Sequence, residues 1–181
     1  YENWDDIIAK TPPLQGNIIP DRKSIGTIIY TSGTTGLPKG VVHSVHAYSY
    51  AATWALSQLN DLSDHERFFS YLPLSHIAER MLVEHGAIYT GGSISFAESL
   101  DTFAANLKET QPTVFLAVPR IWTKFQMGIL AKMPQSKLNV LLKIPIINNL
   151  IRKKIKEGLG LQHAKYLLTG ASPMSVALLE W

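Results

Sequence analysis

From Ser24 onward, short apolar runs alternate with longer stretches whose apolar positions recur at helical spacing. The run "SIGTIIYTS" predicts a buried strand, a stretch rich in glycine and threonine follows it as a loop, and "GVVHS" returns as a second short strand. From Val45 to Asn60 the positions Tyr48, Ala51, Ala52, Ala55, Leu56 and Leu59 predict a helix, which "NDLSDHE" ends with turn residues. Strand "RFFSYLP", helix "SHIAERMLVEHGAIYTGG", strand "SISFA", helix Leu100 to Thr110 and strand "PTVFLAVP" follow in turn. The helix "RIWTKFQMGILAKM", one or two basic amphipathic helices between Leu138 and Gly160 broken at Pro145, and the strand "KYLLTGASP" complete the series. Strands alternating with helices of this length specify an α/β fold: a mixed, mostly parallel sheet with helices on both faces.

Residues 1–23, punctuated by Pro12, Pro13 and Pro20, read as a lead-in linker, with residues 24–181 as the partial domain. The chain starts without methionine and stops at Trp181 just after an apparent helix start, so it is expected to be a fragment. Nearly half of its 181 residues are hydrophobic (46%) and 17% are charged, which excludes a disordered or fibrous chain. It holds no cysteine, so neither a disulfide framework nor a thiolate metal site can form. "YENWDDIIAK" is acidic where a secretory signal is basic, and no run of eighteen apolar residues occurs; a cytoplasmic protein is expected. Residues 1–111 hold seven Lys/Arg against twelve Asp/Glu, whereas 112–181 hold ten against two. That polarity points to an anionic ligand or surface near the second half, or to compensating acids further along a parent chain.

The densest chemistry lies in "YTSGTTGLPKG", Tyr30 to Gly40. Glycine lets backbone N–H groups approach an anion, Ser and Thr hydroxyls add donors without bulk, and Lys39 adds a positive charge at the rim. The string is not a Walker loop. Pro38 stands where the second glycine is required and Gly40 follows Lys39 in place of a hydroxyl. A plain turn between strands is the alternative for the "GTTG" core alone. The eleven residues together resemble the phosphate-binding signature of the adenylate-forming enzymes: acyl-CoA synthetases, luciferases and peptide-synthetase adenylation domains. "SYLPLSHIAER" (70–80), "FLAVPRIWTKF" (115–125) and "LLTGASP" (167–173) are similar to blocks of the long-chain fatty acyl-CoA synthetases.

The resemblance implies a large N-terminal domain that activates a long-chain fatty acid with ATP and Mg²⁺ to an acyl adenylate, then passes the acyl group to coenzyme A. On that basis Thr31, Ser32, Gly33, Thr34, Thr35 and Gly36 would embrace the phosphates, with Thr31 near the metal and Lys39 steadying the loop or the pyrophosphate. His76 matches a histidine at the carboxylate and α-phosphate site, with helix capping beside Ser75 as its structural alternative. Gly170, Ala171 and Ser172 match the wall of the acyl and adenine pocket.

Other candidates are weaker. His43 and His46, or Glu79, Glu84 and His85, have no metal-binding spacing and read as solvated faces. Arg120 reads as a helix-start residue or an ion-pair partner, and Trp122, Phe125 and Met127 as packing or as lining for an acyl chain. The family's later motifs for metal, ribose and adenylation are not found, so the chain alone is not expected to be a competent enzyme. A ligase for another acid and a non-catalytic nucleotide- or lipid-binding module stay open. No nucleic-acid partner is expected. Peripheral membrane contact through the basic segment 137–158 stays open beside the alternative of helices that pack an apolar face on the sheet and show Lys/Arg to water.

Overall fold

The computed structural model describes residues 3–17, 19–32 and 36–181 and divides the strands into two sheets. Strands β1 (Ile25–Thr31) and β2 (Lys39–Ser44) form an antiparallel hairpin of their own. The main sheet is wholly parallel: β3 (Arg67–Ser70), β4 (Ser93–Phe96), β5 (Val114–Ala117) and β6 (Tyr166–Thr169) lie in the order β4-β3-β5-β6. The α/β class stands, with parallel and antiparallel pairings segregated rather than mixed.

Alternation along β3 and β5 sends successive side chains to opposite faces, and each face finds its own helices. Phe69, Phe115 and Ala117 pack with Phe103 and Leu107 of α4 (Phe103–Thr110) and with Trp122 and Phe125 of α5 (Pro119–Lys132). Phe68 and Val114 pack on the other face against Val83 and Ala87, from a π-helical turn (Glu79–Glu84) and α3 (His85–Thr90). Phe68, Phe69 and Phe115 are at most 1% exposed, and each stabilises the fold by about 1.5–3 kcal/mol relative to exposure. Helix α2 (Val45–Ser57) packs against the hairpin, the π-helical turn and α3.

Several expectations are corrected. Structure does not begin at Ser24: α1 (Trp4–Lys10) forms upstream with no buried residue. Asn3 caps it by accepting from Asp5 N–H, and Asp5, Asp6 and Lys10 complement its dipole, so local signals suffice without an apolar face. Strand β1 buries Ile29 alone, because it belongs to a two-stranded ribbon and leaves Ile28 and Tyr30 exposed. The helix expected from Leu100 starts at Phe103, since Ser99 and Thr102 exchange hydroxyl-to-backbone bonds (3.1 Å each) that form a turn first.

The helix expected across 75–92 is distorted into its π-helical turn. Tyr48 donates its hydroxyl to the Arg80 carbonyl (2.9 Å), and the backbone donor that reaches this carbonyl comes from His85, five residues on. A side chain entering the helical ladder is a recognised cause of such distortion. The basic segment forms two helices, α6 (Gln135–Leu142) and α7 (Pro145–Leu159), and α8 (Val176–Glu180) follows β6. No helix among the described residues is long and apolar enough to cross a membrane.

Candidate functional site

From β3 the chain passes to β4 on one side, then crosses back to β5 on the other side of β3. The strand order therefore reverses between β3 and β5, and in open parallel sheets ligands bind outside the carboxyl ends of the strands at that reversal. The segment containing His76 leaves β3 there, Val118-Pro119-Arg120 leaves β5, and Gly170-Ala171-Ser172 leaves β6, with Ala117 registered against Thr169. Three of the four motif blocks thus meet at one edge.

The His76 turn is closed by backbone bonds. His76 N–H donates to the Pro73 carbonyl (2.8 Å), and the His76 carbonyl accepts from Glu79 and Arg80 N–H (3.1 and 3.2 Å). His76 Nδ1 accepts from Ala78 N–H (3.4 Å), so the ring does cap the helix start. An accepting Nδ1 places the neutral ring's proton on Nε2, which leaves a donor for an anionic oxygen. Capping and ligand contact use different nitrogens and do not compete.

Beneath this turn lies Glu79, with no solvent exposure. Its Oε1 accepts from Tyr71 N–H (3.1 Å), and its Oε2 has no hydrogen-bond partner among the described residues. Burial pushes its pKa up, partly offset by the Ser70 hydroxyl and the Tyr71 and Leu72 N–H groups. The expected solvated face does not hold for Glu79. No local spacing marks it, because its carboxylate reaches Tyr71 N–H, eight residues back, while His76 N–H goes to the Pro73 carbonyl.

Tyr71 joins the two strands at the reversal. Its hydroxyl oxygen accepts from Val118 N–H (3.1 Å) at the start of α5, and its ring stacks into a cluster with Phe69, Phe103 and Phe115. Burial raises its pKa, so the phenol stays neutral. Arg120 begins α5 exposed and enters no ion pair among the described residues, which favours its helix-start reading. Trp122 and Phe125 pack on the core and Trp122 donates to the Ala117 carbonyl (3.1 Å), whereas Met127 is exposed rather than packed. Beyond β6, Ala171 holds a φ of 68°, a left-handed conformation rare outside glycine. A Cβ at neighbouring Gly170 would meet no atom within 4 Å, so packing does not demand glycine there.

The phosphate-loop candidates sit apart, at the hairpin tip. Thr31 ends β1 opposite Lys39 at the start of β2, and both are exposed, as is Ser32. Gly36 holds a φ of 83°, which suits glycine and would strain any other residue. Gly33, Thr34 and Thr35 lie outside the described residues. Arg80 Nη1 donates to Thr27 Oγ1 (2.7 Å) and so ties the hairpin to the π-helical turn that follows His76. No three His, Asp or Glu converge as a metal site among the described residues.

A model of the AMP-binding enzyme family matches residues 3–181. The human long-chain-fatty-acid–CoA ligase ACSBG2 is 30% identical over 99% of this chain and 32% of its own length. The long chain acyl-CoA synthetase 5 of Arabidopsis thaliana is 30% identical over 96% of the chain and 30% of its own. The chain spans a quarter to a third of the curated relatives it matches first. Among solved structures, the adenylation domain of a Mycobacterium chelonae carboxylate reductase superposes with a TM-score of 0.66 at 24% identity, over 97% of this chain and 27% of that one, a likeness of fold.

Proposed function

The chain belongs to the AMP-binding enzyme family, and from that membership we propose that it is the phosphate-gripping part of a long-chain fatty acid–CoA ligase. The observation that carries this reading is that the His76 and Val118–Arg120 segments leave the sheet at the strand-order reversal, with Gly170–Ser172 leaving the same carboxyl end from the neighbouring β6 and with Arg80 tying the β1–β2 hairpin to the turn after His76. The relatives named as long-chain-fatty-acid–CoA ligases supply the acid class.

In this reading a fatty carboxylate attacks the α-phosphorus of ATP and pyrophosphate leaves; coenzyme A thiolate then attacks the acyl carbonyl and AMP leaves. The first step brings an anion to a polyanion, so donors preset around the phosphates are its main requirement. Residues 31–36 and Lys39 would hold the β- and γ-phosphates, and Thr31 would help hold a Mg²⁺, which would supply charge neutralisation to the phosphate chain. His76 Nε2–H would donate to the carboxylate or the α-phosphate, and Gly170, Ala171 and Ser172 would border the acyl adenylate.

Acid-dependent exchange of pyrophosphate into ATP by the full-length protein tests this. Long-chain acids are expected to support exchange, Lys39→Ala to lower it, and Gly36→Val to reduce it by about 10²–10³-fold, the loss typical of one misplaced donor. Exchange with aromatic or amino acids only, or full activity in Gly36→Val, would overturn the reading.

We also infer that membrane contact, if made through 137–158, is confined to the turn between α6 and α7. Ile151, Ile155 and Leu159 line a cleft of about 360 Å³ against α4 and α5, which commits the apolar face of α7 to the protein. Ile144, Ile146 and Leu150 stay exposed beside Lys143, Arg152 and Lys153. Basic residues near an anionic bilayer contribute about 1 kcal/mol each. Replacing Lys143, Arg152 and Lys153 with Gln should release the protein from anionic vesicles at low salt, while replacing Lys154, which lines the cleft, should not; equal sedimentation of the triple variant and wild type would remove the inference.

A further inference from the structure

The hairpin that carries the phosphate loop and the turn that carries His76 belong to different sheets, yet a reaction between a carboxylate and a phosphate needs them held in one geometry. Two consecutive side chains in the π-helical turn reach in opposite directions to do this. Glu79 reaches back along its own segment: its Oε1 accepts from Tyr71 N–H (3.1 Å), while its own N–H donates to the His76 carbonyl (3.1 Å). Both ends of the Tyr71–His76 turn are therefore fastened to one residue. Arg80 reaches across to the hairpin, where Nη1 donates to Thr27 Oγ1 (2.7 Å). Its Nε lies 3.4 Å from Glu84 Oε2, and its carbonyl accepts the Tyr48 hydroxyl (2.9 Å) from α2. The guanidinium is thus held from both sides.

We propose that Glu79 and Arg80 are positioning residues for adenylation, Glu79 fixing the turn that presents His76 and Arg80 fixing the phosphate hairpin against that turn. The proposal rests on the ligase reading for its kinetic consequence but on geometry for its structural one. The arrangement is hard to explain by stability alone. Glu79 is fully buried with no cation within ion-pair distance among the described residues, a cost to stability that its hydrogen bonds offset only in part. Thr27 lies four residues before the tip residue Thr31, about 13 Å along the strand, so rotation at the Arg80 contact is amplified at the loop. A misplacement of about 1 Å at a reacting group costs up to about 10²-fold in rate.

The test compares Glu79→Gln, Glu79→Ala, Arg80→Lys and Arg80→Ala in the full-length protein, with amide hydrogen exchange and pyrophosphate exchange measured on each. Glu79→Gln keeps an oxygen acceptor for Tyr71 N–H, so it should retain protection across residues 71–79 and a kcat within about threefold of wild type. Glu79→Ala should lose that protection and lose about 10–10²-fold in kcat with little change in the KM for ATP. Arg80→Ala should raise the KM for ATP and loosen residues 25–31 and 39–44, while Arg80→Lys, a shorter donor without the fork, restores part of both. Unchanged protection in Glu79→Ala, equal impairment in Glu79→Gln and Glu79→Ala, or an unaltered KM for ATP in Arg80→Ala would overturn the proposal. Absence of acid-dependent exchange in the wild type would instead overturn the ligase reading, and the hydrogen-exchange arm would still decide the positioning roles.

Discussion

At the amino end of β3 the buried Glu66 carboxylate lies against the Lys165 ammonium and accepts from the Ser63 N–H (3.2 Å) and hydroxyl (3.3 Å). At its carboxyl end Glu79 is equally buried and has no cation within ion-pair distance among the described residues. The consequences are opposite in sign. Burial alone would raise the Glu66 pKa, but Lys165 together with hydrogen bonds from Thr113 and Ser63 outweighs it and brings the group below its ordinary value. Burial of Glu79 is not outweighed, and its pKa rises. One end of the sheet is built for stability, with the charge compensated; at the other the burial of Glu79 is uncompensated and its carboxyl serves loop geometry. The difference matches the division of labour in open parallel sheets, whose carboxyl ends hold the ligand.

The largest effect expected from breaking this contrast is at the stable end. Lys165→Met leaves Glu66 buried without its cation, and removal of one partner from a buried pair typically costs 3–5 kcal/mol. Because the Lys165 side chain is 44% exposed, water shares its role and about 3 kcal/mol is expected. Urea unfolding of wild type and variant measures it. A loss below about 1 kcal/mol would place both ends in the same energetic class.

A pH series sharpens the contrast with smaller changes. The Glu66 pKa is lowered by folding, so its stabilisation is present above the ordinary value of 4.5 and is lost as pH falls through the folded value. The Glu79 pKa is raised by folding, so its contribution is most favourable below 4.5 and is lost as pH rises through the folded value. Glu66→Gln should therefore be destabilising at neutral pH, by about 1.5 kcal/mol, with the deficit closing on acidification. Glu79→Gln should be within about 1 kcal/mol of wild type or above it at neutral pH, with any advantage closing on acidification. Unfolding free energies measured from pH 3 to 7 decide between these opposite slopes.

Much of this was legible from sequence, for identifiable reasons. Strands β3 and β5 are apolar runs bounded by Pro, Gly or charge, and buried parallel strands have just that signature; β6 carries the same run at the sheet edge, where Leu167 and Thr169 stay exposed. The string from Tyr30 to Gly40 stands out because few uses gather so many small donors together, and its described ends sit at the tip of the β1–β2 hairpin. Helix α1 escaped because caps hold it rather than an apolar stripe. Glu79 escaped because an acid in a helical run reads as solvated, and only the tertiary fold places Tyr71 N–H above it. The Arg80–Thr27 bond joins residues 53 apart, a pairing no local pattern encodes.

The smallest expected effect tests whether the carboxyl edge is held by neutral hydrogen bonds in place of ion pairs. Tyr71 is the shared member: its N–H goes to Glu79 and its hydroxyl oxygen serves Val118 N–H, so one residue bridges the His76 turn and the start of α5. Tyr71→Phe preserves the ring that stacks with Phe69 and meets Phe103 edge-on, and removes only the acceptor. Val118 is half-buried, so its N–H regains water in part and the expected loss is about 1 kcal/mol. The backbone N–H that Glu79 accepts survives the substitution. A double-mutant cycle of Tyr71→Phe with Glu79→Gln should therefore show coupling below about 0.5 kcal/mol, the signature of two separate fastenings. Strong coupling would mean instead that the two bonds form one network, in which the Val118–Arg120 segment moves whenever the His76 turn does.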